Sequence, residues 1–224
     1  MVTKELLKYI EENIFPLYES DAVDKGHRKP HIDDVINRSL KFAEAYNNVH
    51  EDKLNYDMVY TIAAYHDVGL SKAPRKIHEQ KSAEMLLEDK ELLRFFNPEQ
   101  IAIMAVAVRD HRASNDHDPE SIYGKIVSQA DRSFDLNHII HRAYQYRQND
   151  IECMNNRDLM ISEIIKHIIE KYGDNGYARS KMWFEDERLS SFFKEVSDLS
   201  KDYNKLYKLI NNTIGEKNHE KDSH

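Results

Sequence analysis

The sequence predicts an all-α fold, and three observations carry the prediction. Glycine and proline are scarce, 6 and 5 of 224 residues, too few turn formers for a sheet-rich chain of this length. Apolar residues recur at helical spacing in one segment after another. No window holds the sustained period-two alternation of a strand. With 40% hydrophobic and 32% charged residues, the composition suits a packed core rather than a disordered chain. The length suits one domain with a helical extension.

Leu6, Leu7, Ile10, Ile14 and Leu17 predict a first helix over residues 3–18. A polar break follows, with Gly26 and Pro30 as punctuation. Pro30 suits the first turn of a second helix over 30–46, whose inward face carries Val35, Ile36, Leu40, Phe42 and Ala43. Asn55 or Asp57 is placed to cap a third helix over 57–67, which Gly69 ends. Further helices are expected near 78–88, 98–111 and 119–132, the second announced by Asn97-Pro98. Longer ones follow over 135–149 and 157–172. Gly173-Asp174-Asn175-Gly176 reads as a turn, residues 180–212 as a last helix or broken pair, and the charged tail from about 215 as frayed. No internal repeat or low-complexity linker is visible.

The formal net charge is −8 with His neutral, and no stretch is dense enough in Lys and Arg to make a duplex-binding face. Nucleic acid duplex is therefore not an expected partner. A phosphorylated small molecule remains compatible, since a cation and local Arg can hold it. Cys153 is the single cysteine, so neither an intrachain disulfide nor a thiolate metal cluster is available. The longest strictly apolar run, residues 101–108, is too short to cross a bilayer, and the N-terminus lacks the apolar core of a signal peptide. The expectation is a cytoplasmic protein with no membrane partner; a homodimer is left open.

The chemistry starts at Ala63-Ala64-Tyr65-His66-Asp67-Val68-Gly69. Val59, Ile62, Ala63 and His66 share one helical face, so His66 points with the apolar stripe, and Asp67 follows at the helix end. Taken alone, the pair reads equally as a buried His beside a capping Asp. Its company changes that reading. His31 lies one turn before Val35 and shares its face. Asp131 sits one turn after Val127, on the core side, where a carboxylate is costly unless paired or metal-bound; the alternative is an ion pair with Arg38 or Arg109. Two imidazoles and two carboxylates form a mixed N/O set suited to Mn, Fe, Co, Ni or Mg rather than to a structural zinc site.

The order His, then His-Asp, then Asp, each on a separate helix, resembles the HD superfamily of metal-dependent phosphohydrolases. The likeness covers roughly residues 24–135 and rests on Asp24-Lys25-Gly26-His27-Arg28-Lys29-Pro30-His31-Ile32-Asp33-Asp34-Val35, Ala64-Tyr65-His66-Asp67-Val68-Gly69 and Ala130-Asp131-Arg132. The first segment looks like the family's opening of His, three residues, His, then Val, in which the second His, here His31, is the ligand. The resemblance implies an HD-domain helical bundle over residues 1–150 that includes the N-terminal helix, with residues 151–224 as a C-terminal helical extension packed on it. It implies a metal-dependent phosphohydrolase acting on a small phosphate ester, a nucleotide above all, with one or two divalent ions. His78 and His111 look similar to positions that serve a second metal in the dinuclear branch, with Asp67 as the bridge. His78 reads equally as a surface His near a helix start, whereas His111 lies on the apolar face of Met104, Ala107 and Val108.

Hydrolysis of this kind needs no Ser or Cys nucleophile, and neither G-x-S-x-G nor a Walker loop is present. His66, Asp67 and Arg132 are the candidate catalytic residues, and Lys72, Arg75 and Arg112 are candidate phosphate contacts. His27 and Asp135 are candidates to orient a ligand His. The rings of Tyr144, Tyr146, Tyr172, Tyr177, Trp183 and Phe184 read better as packing among Ile161, Ile164, Ile165, Ile168 and Ile169 than as a base-stacking wall. Three rival readings stand beside the hydrolase. They are an HD-fold di-iron oxygenase, a non-catalytic nucleotide-sensing HD module, and a structural bundle with coincidental His and Asp.

Overall fold

A computed structural model describes residues 1–132 and 134–221, apart from the side chains of Lys25, Ser180 and residues 216–221. Among the described residues the chain is helical and holds no strand. Helix α1 (Lys4–Asn13) stops short of the expected end at 18, because Pro16 offers no N–H to the carbonyl one turn back; Phe15–Glu19 continues as a 3₁₀ turn. Helix α2 (Lys29–Val49) carries Pro30 in its first turn. Helix α3 (Tyr56–Tyr65) is capped by Asn55, whose side chain accepts from the backbone of Asp57 and Met58. Then come α4 (His78–Glu88), α5 (Pro98–Arg109) with an Asn97/Gln100 capping box, and α6 (Ile122–Ala130) capped by Ser121.

The chain divides into two compact units, Met1–Arg132 and Ser133–His224. In the first, every residue of α3 from Met58 to Tyr65 is buried, the signature of a helix surrounded by others. Helices α2, α5 and α6 pack against it, and Ile32, Val35, Met104, Val108, Ile126 and Val127 close the core. Gly69 does not act as a left-handed cap, since no described residue has positive φ. Its need for glycine is spatial. A Cβ there would stand 2.3 Å from the His78 carbonyl oxygen and 2.6 Å from Ser82 N, so the bare Cα is what lets the turn after α3 lie against α4.

The second unit contains α7 (Leu136–Arg147), α8 (Ile151–Asn155), α9 (Arg157–Tyr172), α10 (Tyr177–Ser180), α11 (Glu187–Ser200) and α12 (Tyr203–Lys221). It begins ahead of the break expected near 150, because α7 packs on α9 and α12. The short α8 and α10 carry too few residues to leave a periodic signal. Tyr172, Ile161, Ile164, Ile165 and Ile168 are buried in its core, whereas Ile169 is exposed and Tyr146 stands 77% exposed. Helix α12 continues through the segment expected to fray as far as Lys221; residues 222–224 of that tail lie outside the described residues. No helix among the described residues is long and apolar enough to cross a membrane.

Candidate metal centre

Six side chains of the first unit converge, and all six sit at or near helix ends. His31 lies in the first turn of α2, His66 caps the C-terminus of α3 and Asp67 follows it. His78 opens α4, His111 lies just beyond α5, and Asp131 caps α6. Helix termini leave backbone carbonyls without intrahelical donors, and two of these histidines use them. His66 Nδ1 pairs with the Ala63 carbonyl at 2.8 Å and His111 Nδ1 with the Val108 carbonyl at 2.6 Å. His78 Nδ1 pairs with the Arg75 carbonyl at 2.7 Å. A proton held on Nδ1 by a carbonyl leaves the Nε2 lone pair facing inward, as metal ligation requires.

The atoms form two groups that share one carboxylate. In the first, His31 Nε2 stands 3.1 Å from Asp131 Oδ1 and 3.8 Å from Asp67 Oδ2. His66 Nε2 stands 3.6 and 3.4 Å from the same two oxygens. In the second, His78 Nε2 and His111 Nε2 lie 2.8 and 3.4 Å from Asp67 Oδ1 and 3.3 Å from each other. Ligand atoms about 2.1 Å from one ion and roughly 90–110° apart are separated by about 3.0–3.4 Å. Both groups come close to that spacing. Buried Nε2 atoms of His31 and His66 make no hydrogen bond although carboxylate oxygens are near, so their lone pairs are aimed at a shared point. The residues present fit a divalent cation in each group, with Asp67 offering one oxygen to each.

Electrostatics agree. Burial works against the charge on His66, yet the Asp67 and Asp131 carboxylates push its pKa well above the ordinary value. Burial likewise opposes ionisation of Asp67 and Asp131, yet the surrounding imidazoles hold both well below the carboxylate range. His78 is raised, because its hydrogen bond and charge interaction with Asp67 outweigh its burial. One buried and one half-buried carboxylate thus demand positive charge, which protons on imidazole or a cation can supply.

Three residues that the sequence reading did not single out as supports hold the cluster in place. The fully buried Tyr18 donates its hydroxyl to the Ala64 carbonyl at 2.8 Å, fastening the end of α3. Ser82 Oγ accepts from Gly69 N at 2.8 Å. Arg38 does not pair with the Asp131 carboxylate. Its Nη1 donates to the carbonyls on either side, Ala130 at 2.8 Å and Arg132 at 3.2 Å, while Arg109 pairs with Asp110 and Glu120. None of these three leaves a periodic or motif signal, since each acts through a distant backbone atom.

The other candidates lie as follows. Arg132 is buried beside Asp131. Lys72 and Arg75 are exposed in the segment after Asp67, and Arg75 Nη1 stands 3.8 Å from Asp24 Oδ2. Arg112 bonds to the Lys76 carbonyl and to Glu79. His27 is buried, holds Asp24 through Nδ1 at 2.8 Å, and presents its ring edge-on to His31 at a centroid distance of 5.5 Å. Asp135 belongs to the second unit, where it caps α7.

Residues 31–133 match the family model of the HD domain. That stretch begins at His31 and takes in all six residues of the two groups. No curated protein and no solved structure was found to match the chain. Matched in sequence to the HD domain, holding helices and no strand among their described residues, and carrying a His, His-Asp, Asp cluster in chain order, residues 31–133 are consistent with the superfamily of metal-dependent phosphohydrolases.

Proposed function

We propose that this protein hydrolyses a small phosphate ester, a nucleotide being the first class to test, at a pair of divalent cations bridged by Asp67. One observation carries the reading: the two oxygens of a single buried carboxylate face two separate groups of ligand atoms. A bound cation pair would supply the charge that polarises a phosphoryl group and eases deprotonation of a water molecule. The chain's own residues do the rest. His31, His66 and Asp131 offer one face of the site, and His78 and His111 offer the other. The Ala63, Arg75 and Val108 carbonyls hold three of the imidazoles in the ligating tautomer. Arg132, which adjoins Asp131, and Lys72 and Arg75, which lie between Asp67 and His78, are assigned to the phosphate oxygens.

The test is metal analysis of the purified chain, joined to a phosphate-release screen over nucleotides and other small esters with Mn, Co, Ni and Mg. Release that requires metal and disappears in His66→Ala and Asp67→Ala is expected. Oxygen uptake by an iron-loaded protein without any phosphate release would transfer the assignment to a di-iron oxygenase. Cation binding with neither activity would transfer it to a sensing module.

A further inference from the structure

His78 and His111 share a cation only if two separate helix ends keep their spacing. Helices α4 and α5 pack along their lengths, but His78 is the first residue of α4 and His111 lies beyond the last of α5. Lys72, Pro74, Arg75, Lys76 and Ile77, just ahead of His78, are all exposed. At this edge one guanidinium joins the two ends. Arg112, next to His111, donates Nη1 to the Lys76 carbonyl at 3.2 Å and to both oxygens of Glu79 at 3.2 and 3.3 Å. Glu79 is buried, follows His78 directly, and brings Oε2 within 3.3 Å of His78 Nδ1. The neighbouring Arg75 carbonyl fixes that same Nδ1.

From this arrangement we propose that the Arg112–Glu79 pair is a positioning brace for the second cation and decides whether the chain holds two cations or one. The pair fixes the distance between the two Nε2 atoms across the α4 start and the α5 end. It also neutralises itself, so that neither a bare carboxylate competes for the ion beside His78 nor a bare guanidinium repels it. Arg112, whose side chain is 29% exposed, then serves structure rather than substrate phosphate. The first group has no such dependence, because its ligands are carried by α2, α3 and α6.

The inference rests on the two-cation reading, and the experiment separates the two. The chelator-stripped full chain is titrated with Mn²⁺ alone by calorimetry, and the loaded sample is examined by electron paramagnetic resonance for a spin-coupled pair. Two binding steps are expected for the unaltered chain. In Arg112→Gln the second step weakens about 10–100-fold, as loss of a ligand-orienting partner does, with the first step unchanged and the coupled signal lost. Glu79→Gln behaves alike, and the double variant is no worse than the worse single one, because one interaction is removed in all three. Arg112→Lys, which keeps the ion pair, retains more of the second step than Arg112→Gln. An unchanged second step in both single variants overturns the brace while leaving the two-cation reading intact. Equal weakening of both steps, or loss of helical circular dichroism in both variants, assigns the pair to general folding and also overturns it. A single step in the unaltered chain overturns the two-cation reading itself, and the brace with it.

Discussion

His31, His66 and Asp131 are carried by α2, α3 and α6, helices that pack on one another around a core closed by Ile32, Ala63 and Val127. His78 and His111 also have buried rings, but their elements are bounded by an exposed turn and by residues joined through hydrogen bonds at the protein's edge. The first group is therefore set by side-chain packing, which is stiff because interiors are close-packed. The second depends in addition on a few polar contacts and one glycine at the helix ends that carry it. Asp67 belongs to both, so the two regions differ in how they are held while depending on the same carboxylate.

Asp67→Ala removes the shared ligand and should erase the distinction. Metal analysis of that variant is expected to find neither cation at stoichiometric occupancy, and phosphate release is expected to fall to background. Retention of one tightly held cation would show that the groups are independent.

Gly69→Ala tests the glycine that admits α4. The new methyl must displace backbone atoms at 2.3 and 2.6 Å, and overpacking of that kind costs about 3 kcal/mol at the upper end of the usual range. The expected outcome is a lowered midpoint in urea unfolding and a second cation lost ahead of the first, since α4 carries His78. A variant as stable as the unaltered chain would show that the turn has room to move.

Tyr18→Phe acts on the packed side of the comparison. It leaves the Ala64 carbonyl without its buried donor, which costs about 1–2 kcal/mol, read as a lower thermal midpoint. The second cation step should be less affected than the first, because the residues loosened are those just before His66 and Asp67.

A pH titration gives the smallest and most graded effect. His66 and His78 are raised above 6.5 in the cation-stripped protein, and Asp67 and Asp131 are lowered below 3.8. The raised histidines stabilise the fold fully below pH 6.5, and that contribution is lost as pH rises through their folded values. The lowered carboxylates contribute above about 3.8 and lose it as pH falls through theirs. The stripped protein is therefore expected to be most stable between about pH 4 and 6.5 and to weaken on the alkaline side. A cation needs neutral imidazole, so its affinity should rise with pH by about tenfold per unit for each proton displaced. Calorimetry in buffers of different ionisation enthalpy counts those protons. Affinity that falls with rising pH would contradict the assigned ligands.

The sequence by itself determined the helical class and the chemical identity of the cluster. Periodic apolar faces gave α2, α3, α5 and α6 their inward sides, Asn97-Pro98 marked the start of α5, and His31, His66 and Asp131 could be read as inward because they fall on the faces of α2, α3 and α6. Those are short-range properties, written within a few residues of each side chain. Tertiary structure decided what depends on distant atoms meeting. It made Gly69 a point of close approach rather than a left-handed cap, and sent Arg38 to two carbonyls instead of to Asp131. It turned Arg112 toward Glu79, 33 residues away in the chain. Local spacing says which face a residue occupies, whereas the partner across the gap is fixed only when the helices pack.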